Sequence, residues 1–183
     1  IRYFASSIKV TSLYKVKLMK LIWYADALSY KRRGFAITGL VYQALPMGAV
    51  PVGHNSIIDL KGVPCEEVDM GETYAYHFSL SGQQTFPELS DEEKDILDVV
   101  IEKLGKMSKN EIINFMHKEQ AYVETVPRDI IQFKYAESLQ IWTEGDNIII
   151  ANGNDNGNEI GDDDSEIMKV LGLSLIHISE PTR

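Results

Sequence analysis

The sequence predicts an α+β fold that is mainly α: a helical domain carrying one small antiparallel β-hairpin. Three observations predict it. Lys15 to Lys31 places apolar residues at helical spacing. Two later segments each open with Ser-x-x-Glu ahead of an apolar run, the signature of a capped helix start. Between these regions Tyr74, Tyr76 and Phe78 alternate with other residues, as in a strand.

The first helix is expected over Lys15–Lys31. Leu18, Leu21, Ile22, Ala25 and Leu28 line one face, and Trp23, Tyr24 and Tyr30 widen it. Thr11 or Ser12 is the expected cap. Gly34 follows Lys31, Arg32 and Arg33, so cations meet the carbonyl end of the helix and glycine supplies its stop. Ile37 to Pro51 reads as an irregular apolar stretch, broken by Gly39, Pro46, Gly48 and Pro51. Pro51 is expected to open a short helix running to Asp59. Strands are expected at Cys65–Val68 and Thr73–Phe78, joined through Met70 and Gly71. Capping boxes at Ser90/Glu93 and Ser108/Glu111 start two further helices, with Gly105 as a stop between them. A last ordered element spans Arg128–Leu139, helical at Tyr135–Leu139.

Charge divides the chain. It has 183 residues and a net charge of −9. Residues 1–33 hold eight bases and one acid, +7, whereas 144–172 hold eight acids and one base, −7. Residues 1–143 sum to −2. Acidity therefore belongs to the late Asn/Asp/Gly-rich segment, which reads as a flexible tail. Residues 173–183, LSLIHISEPTR, resemble a translated sequencing adapter, and His177 is set aside with them. The expected organisation is a domain over 1–143, an acidic tail over 144–172 and an adapter-derived end over 173–183. A chain opening on Ile1 is expected to lack its true N-terminus.

Catalytic and metal chemistry find little support. One cysteine, Cys65, excludes a disulfide framework and a thiolate zinc site. His54, His77 and His117 lack metal-pair spacing, and Asn152–Asp163 misses both charged anchors of a calcium loop. Cys65 in a strand reads as a small buried hydrophobe rather than a nucleophile. Asp26, in the most apolar helix, needs partners. Backbone N–H groups, a Tyr hydroxyl or Arg128 are the candidates, ahead of an enzyme built on Asp26 with His54 or His117. Lys15, Lys17 and Lys20, with Lys31–Arg33, could meet phosphates, but a solvated helix face is preferred. No glycine motif for nucleotides is present, and no cofactor, metal or membrane span is expected.

Lys17 to Pro51, KLMKLIWYADALSYKRRGFAITGLVYQALPMGAVP, resembles the opening signature of the SocA-type antitoxin family, the Panacea domain. Lys17, Leu18, Lys20, Leu21, Tyr24, Ala25 and Asp26 match its helix, and Gly34 the glycine after it. Pro46, Gly48 and Pro51 fall in the family's turn region. There Met47-Gly48-Ala49-Val50 departs from the usual Tyr-Gly-Pro-Val. PRDIIQFKYAESL, 127–139, resembles the closing element, so the likeness covers about residues 10–141 on this motif reading. It implies a cytoplasmic, non-enzymatic antitoxin that neutralises a cognate protein toxin by direct contact. It also implies, as alternatives, an adaptor delivering the toxin to a protease, or the sensing half of an autorepressor. The subgroup carries an N-terminal helix-turn-helix or zinc-ribbon module for operator DNA. The expected contact residues are Lys31, Arg32, Arg33, Tyr42, Gln43, Met47 and Gly48, on loops and a helix corner.

Overall fold

Helix α2, Lys15–Arg33, is the axis of the molecule: every residue from Lys15 to Ser29 is buried. The computed structural model describes residues 1–139. A short α1, Arg2–Ser6, precedes α2. After it come β1 (Tyr42–Leu45), β2 (Gly48–Pro51), α3 (His54–Ile58), β3 (Cys65–Asp69) and β4 (Tyr74–Phe78). Helices α4 (Asp91–Leu104), α5 (Lys109–Met116) and α6 (Gln120–Val123) follow, and a 3-10 helix, Phe133–Ser138, closes the described chain. The α+β, mainly helical class holds, but with two hairpins rather than one. The tail and adapter-like segment lie outside the described residues.

The apolar stripe predicted for α2 is exceeded. A helix buried all round is a core helix, and α4, α5, β2 and the 3-10 helix all pack on it. Its start is not capped by Thr11 or Ser12. Tyr14 is the N-cap and offers no side-chain bond. The chain before α2 serves another purpose: Phe78 donates its backbone N–H to Leu13 O at 2.9 Å, and Tyr14 bridges His77. Lys17 is buried, and its ammonium donates to the carbonyls of Thr11 and, at 2.9 Å, Gly105. Gly34 ends the helix as predicted, with φ +80° and its N–H on Tyr30 O.

The stretch from Ile37 is more regular than its composition suggests. Tyr42–Leu45 pairs antiparallel with Gly48–Pro51 in register Tyr42↔Pro51 to Leu45↔Gly48. Pro46 and Gly48 stand where a tight turn favours Pro second and Gly fourth. The far edge of β1 is taken by a strip from the C-terminal side: Arg128 N–H donates to Ala44 O (2.7 Å), Ala44 N–H to Asp129 O (3.0 Å) and Ile131 N–H to Tyr42 O (2.9 Å). Pro51 ends β2 instead of opening a helix, and α3 starts at His54 behind Gly53, whose φ is +75°.

Both capping boxes form. Ser90 Oγ accepts from Glu93 N–H and Glu93 Oε2 from Ser90 N–H, and Ser108 and Glu111 repeat the exchange. Gly105 stops α4, though not by a left-handed turn: its φ is −60°. A Cβ there would stand 2.8 Å from Lys9 O and closer still to Ile101 O, so glycine is required for space. The cap also sets an acid-dependent stability. The Ser90 backbone N–H, with Arg33 nearby, holds the Glu93 carboxyl below its ordinary value of 4.5. A depressed pKa stabilises the fold above that value, and the contribution is lost as pH falls through the folded pKa. Glu93→Gln should therefore melt below wild type at neutral pH. The gap should close on acidification in paired thermal melts, and a gap independent of pH would refute this.

Candidate partner-binding face

Asp26 is fully buried and ties three elements together. Its carboxylate accepts from Tyr42 Oη (2.6 Å), from Thr38 N–H (2.8 Å) and from Thr38 Oγ1. The partner set is of the kind the sequence predicts, a Tyr hydroxyl and a backbone N–H, while Arg128 is not part of it. The result is mutual. Burial and the negative charge of Asp26 push the Tyr42 phenol far above its ordinary range, so it stays a donor. Sequence reasoning does not single out Thr38; a hydroxyl residue just before Gly39 is the available signal.

The β1–β2 turn is clamped from the opposite side. His117 Nε2 lies 3.0 Å from Pro46 O, and Tyr122 Oη donates to Leu45 O at 2.8 Å. The two rings stack at 4.8 Å. Gly48 is buried beneath this turn at φ +106°, and a Cβ on it would lie 2.6 Å from Met116 Cγ and 3.0 Å from Lys20 Cε. Pro46 is exposed and Met47 half-exposed, so the turn offers a rigid tip. Gln43 donates to Arg128 O at 2.9 Å and is also half-exposed. Nothing in the sequence points to His117 or Tyr122 here, because their role depends on tertiary placement alone.

The basic corner sits elsewhere. Lys20 neighbours Gly48 and Arg33 ends the helix, so the turn and the corner are separated by about 20 Å along α2. Arg32 pairs with Asp95 at 2.7 Å. Arg33, with only 7% of its side chain exposed, donates to Ser29 Oγ, approaches Glu92 and Glu93, and lies over the Phe35 ring. Lys31 Nζ reaches Leu139 O at 3.5 Å and is otherwise exposed.

The predicted contact residues thus divide. Lys31, Arg32, Gln43 and Met47 reach the surface. Tyr42 and Gly48 are interior, and Arg33 mainly fastens α2 to α4. Of the matching signature residues, Leu18, Leu21, Tyr24 and Asp26 are buried core, Gly34 a helix stop, and Pro46 and Pro51 frame the second strand. Lys15, Lys17 and Lys20 form no solvated or phosphate-facing surface. All three are buried, with Lys15 donating to Asn55 Oδ1 at 2.7 Å.

The acid–base pairs that the sequence allows are not assembled. The partners of Asp26 are Thr38 and Tyr42, while His117 is committed to Pro46. Cys65 is half-buried in β3. Burial and the charges of Glu67, Asp59 and Glu66 push its thiol up, opposite to what a nucleophile needs. Among the described residues no group of three or more His, Cys, Asp or Glu is placed to hold a metal ion. No described helix is long and apolar enough to cross a membrane.

Residues 18–122 match the family model for the antitoxin SocA-like Panacea domain. No curated protein matches the chain, and no solved structure does. The matched span runs from the first turn of α2 to α6 and takes in the Asp26 node, the clamped turn and both hairpins. That span is more than half of the chain, and the chain belongs to the SocA-like antitoxin family through its Panacea domain.

Proposed function

We propose that the protein is the antitoxin of a toxin–antitoxin pair, neutralising a cognate protein toxin in the cytoplasm by direct contact rather than by catalysis. The match to an antitoxin domain across residues 18–122 carries this reading. Two features support it. Asp26, the carboxylate that the sequence offers for catalysis, is committed to holding the β1 hairpin. Lys15, Lys17 and Lys20, three of the basic residues of α2 considered for phosphate contact, are buried, which leaves only Lys31 and Arg32 of that set exposed and favours a protein partner over a phosphate backbone. Lys31, Arg32, Gln43 and Met47 are the predicted contact positions in this reading.

Co-expression tests it. The gene adjacent to the full-length reading frame should arrest growth when expressed alone. Co-expression with this protein should restore growth, and the two products should co-purify as a complex. A harmless neighbour, or toxicity untouched by co-expression, would refute the antitoxin role.

A further inference from the structure

We infer that the outer edge of β3 is a docking edge that takes an extended, lysine- or arginine-bearing segment of the toxin as an added strand. This rests on the antitoxin reading and adds to Lys31, Arg32, Gln43 and Met47 a further contact, with the chemistry that would hold it. The geometry of the hairpin sets which backbone groups are on offer. Met70 N–H donates to Thr73 O at 2.9 Å, and the register runs Asp69↔Tyr74 to Cys65↔Phe78. Antiparallel pairs alternate between bonded and non-bonded. Val68 and Glu66 therefore bond to β4, whereas Glu67 and Asp69 aim their N–H and C=O groups outward. The other edge of the hairpin is closed by Leu13 and Tyr14. Among the described residues no strand covers the outer side of β3. An open strand edge is a template for pairing with another chain.

Charge selects the occupant. Between residues 59 and 79 lie Asp59, Glu66, Glu67, Asp69 and Glu72 against Lys61 alone, a net −4, while the described residues as a whole sum to −2. These five acids are exposed. None pairs with a Lys or Arg among the described residues. Burial, then Glu67, Asp59 and Glu66, push the Cys65 thiol up, with Lys15 opposing them. Glu67 and Asp69 share one face of the hairpin with Tyr76 and Tyr74, and Tyr74 is 57% exposed. An incoming strand with Lys or Arg at alternate positions would set its cations opposite those carboxylates and its stems along the Tyr74 ring. Acidic strands, including a second copy of β3, are repelled, as are nucleic acids and anionic lipid. The simpler role of such charges is to keep the edge free of any partner. The two roles differ in what the toxin does.

The test uses the full-length protein and the product of the adjacent reading frame as probe, with dissociation constants measured by calorimetry. Glu66→Lys with Glu67→Lys should weaken binding by about tenfold or more and lose growth rescue. Wild-type affinity should fall with added NaCl, and the double variant should lose that salt dependence. Glu67→Pro should bind more weakly than Glu67→Gln, because it removes the outward N–H as well as the charge and spares the β3–β4 ladder. Hydrogen exchange of the wild type should show the Glu67 and Asp69 amides protected by the toxin. Should the double variant fail to melt near wild type, the two Glu67 variants and the exchange result decide. Full binding by the folded double variant, or amides left unprotected in a formed complex, overturns the docking edge and leaves the antitoxin role standing. A wild type that neither binds nor rescues overturns both.

Discussion

Asp26→Ala is expected to lower folding stability by about 2–4 kcal/mol, by loss of hydrogen bonds to a buried charge and of packed volume. The carboxylate receives the Tyr42 hydroxyl, the Thr38 N–H and the Thr38 hydroxyl, with Asp26 and Tyr42 shut off from solvent. Removing it takes the carboxylate acceptor from a buried phenol and leaves a void against α2. Asp26→Asn keeps the volume and one acceptor oxygen, so its loss should be smaller. Tyr42→Phe removes the stranded donor, so adding it to Asp26→Ala should cost less than the two single losses together. Denaturant melts of wild type, the two single variants and the double variant measure this. An Asp26→Ala protein as stable as wild type, or strictly additive losses, would show that Asp26 is not the node described.

Gly48→Ala is the second large effect, expected at about 2–4 kcal/mol from backbone strain and overpacking together. The residue sits at φ +106°, where a side chain is strained. Its new methyl would also meet Met116 Cγ at 2.6 Å. Gly34 separates the two causes. It has φ +80°, and a Cβ added there would meet nothing within 4 Å, so Gly34→Ala should show the strain without the clash. Gly48→Ala should thus cost clearly more than Gly34→Ala, and shortening Met116 in the Gly48→Ala background should recover part of the difference. Equal losses at the two glycines would remove the packing argument.

Local patterns carry the helices. The Ser90 and Ser108 caps, the Gly34 stop and the β3–β4 alternation are each set within a few residues, and each forms. Sequence reasoning fails where distant chain decides. The β1–β2 hairpin is held by a strip from 128–131 on one edge and by α2 on its face, so its own Gly and Pro residues look like irregular chain. Thr11 and Ser12 lose their capping role because the neighbouring Leu13–Tyr14 backbone joins β4. At the candidate face the type of partner for Asp26 is legible from the cost of burying a carboxylate. Tyr42 and Gly48 are interior rather than surface contacts, since a loop-like sequence does not reveal which of its residues turn inward. The clamp by His117 and Tyr122 has no sequence signal, being made across 71 and 77 residues of chain.

The two flanking strips bear on where this domain can be cut. Leu13 and Tyr14 cover the β4 edge of the β3–β4 sheet, and Lys17 pins Thr11 to the end of α4. Residues 128–131 complete the β1–β2 sheet from the other end. Both strips, and Lys17 itself, lie outside the family-matched span of 18–122. A fragment trimmed to that span would expose one raw edge on each hairpin and leave the Gly105 carbonyl without its ammonium. The smallest unit able to stand alone is therefore wider than its most recognisable stretch, and it is defined by which segments close its sheets.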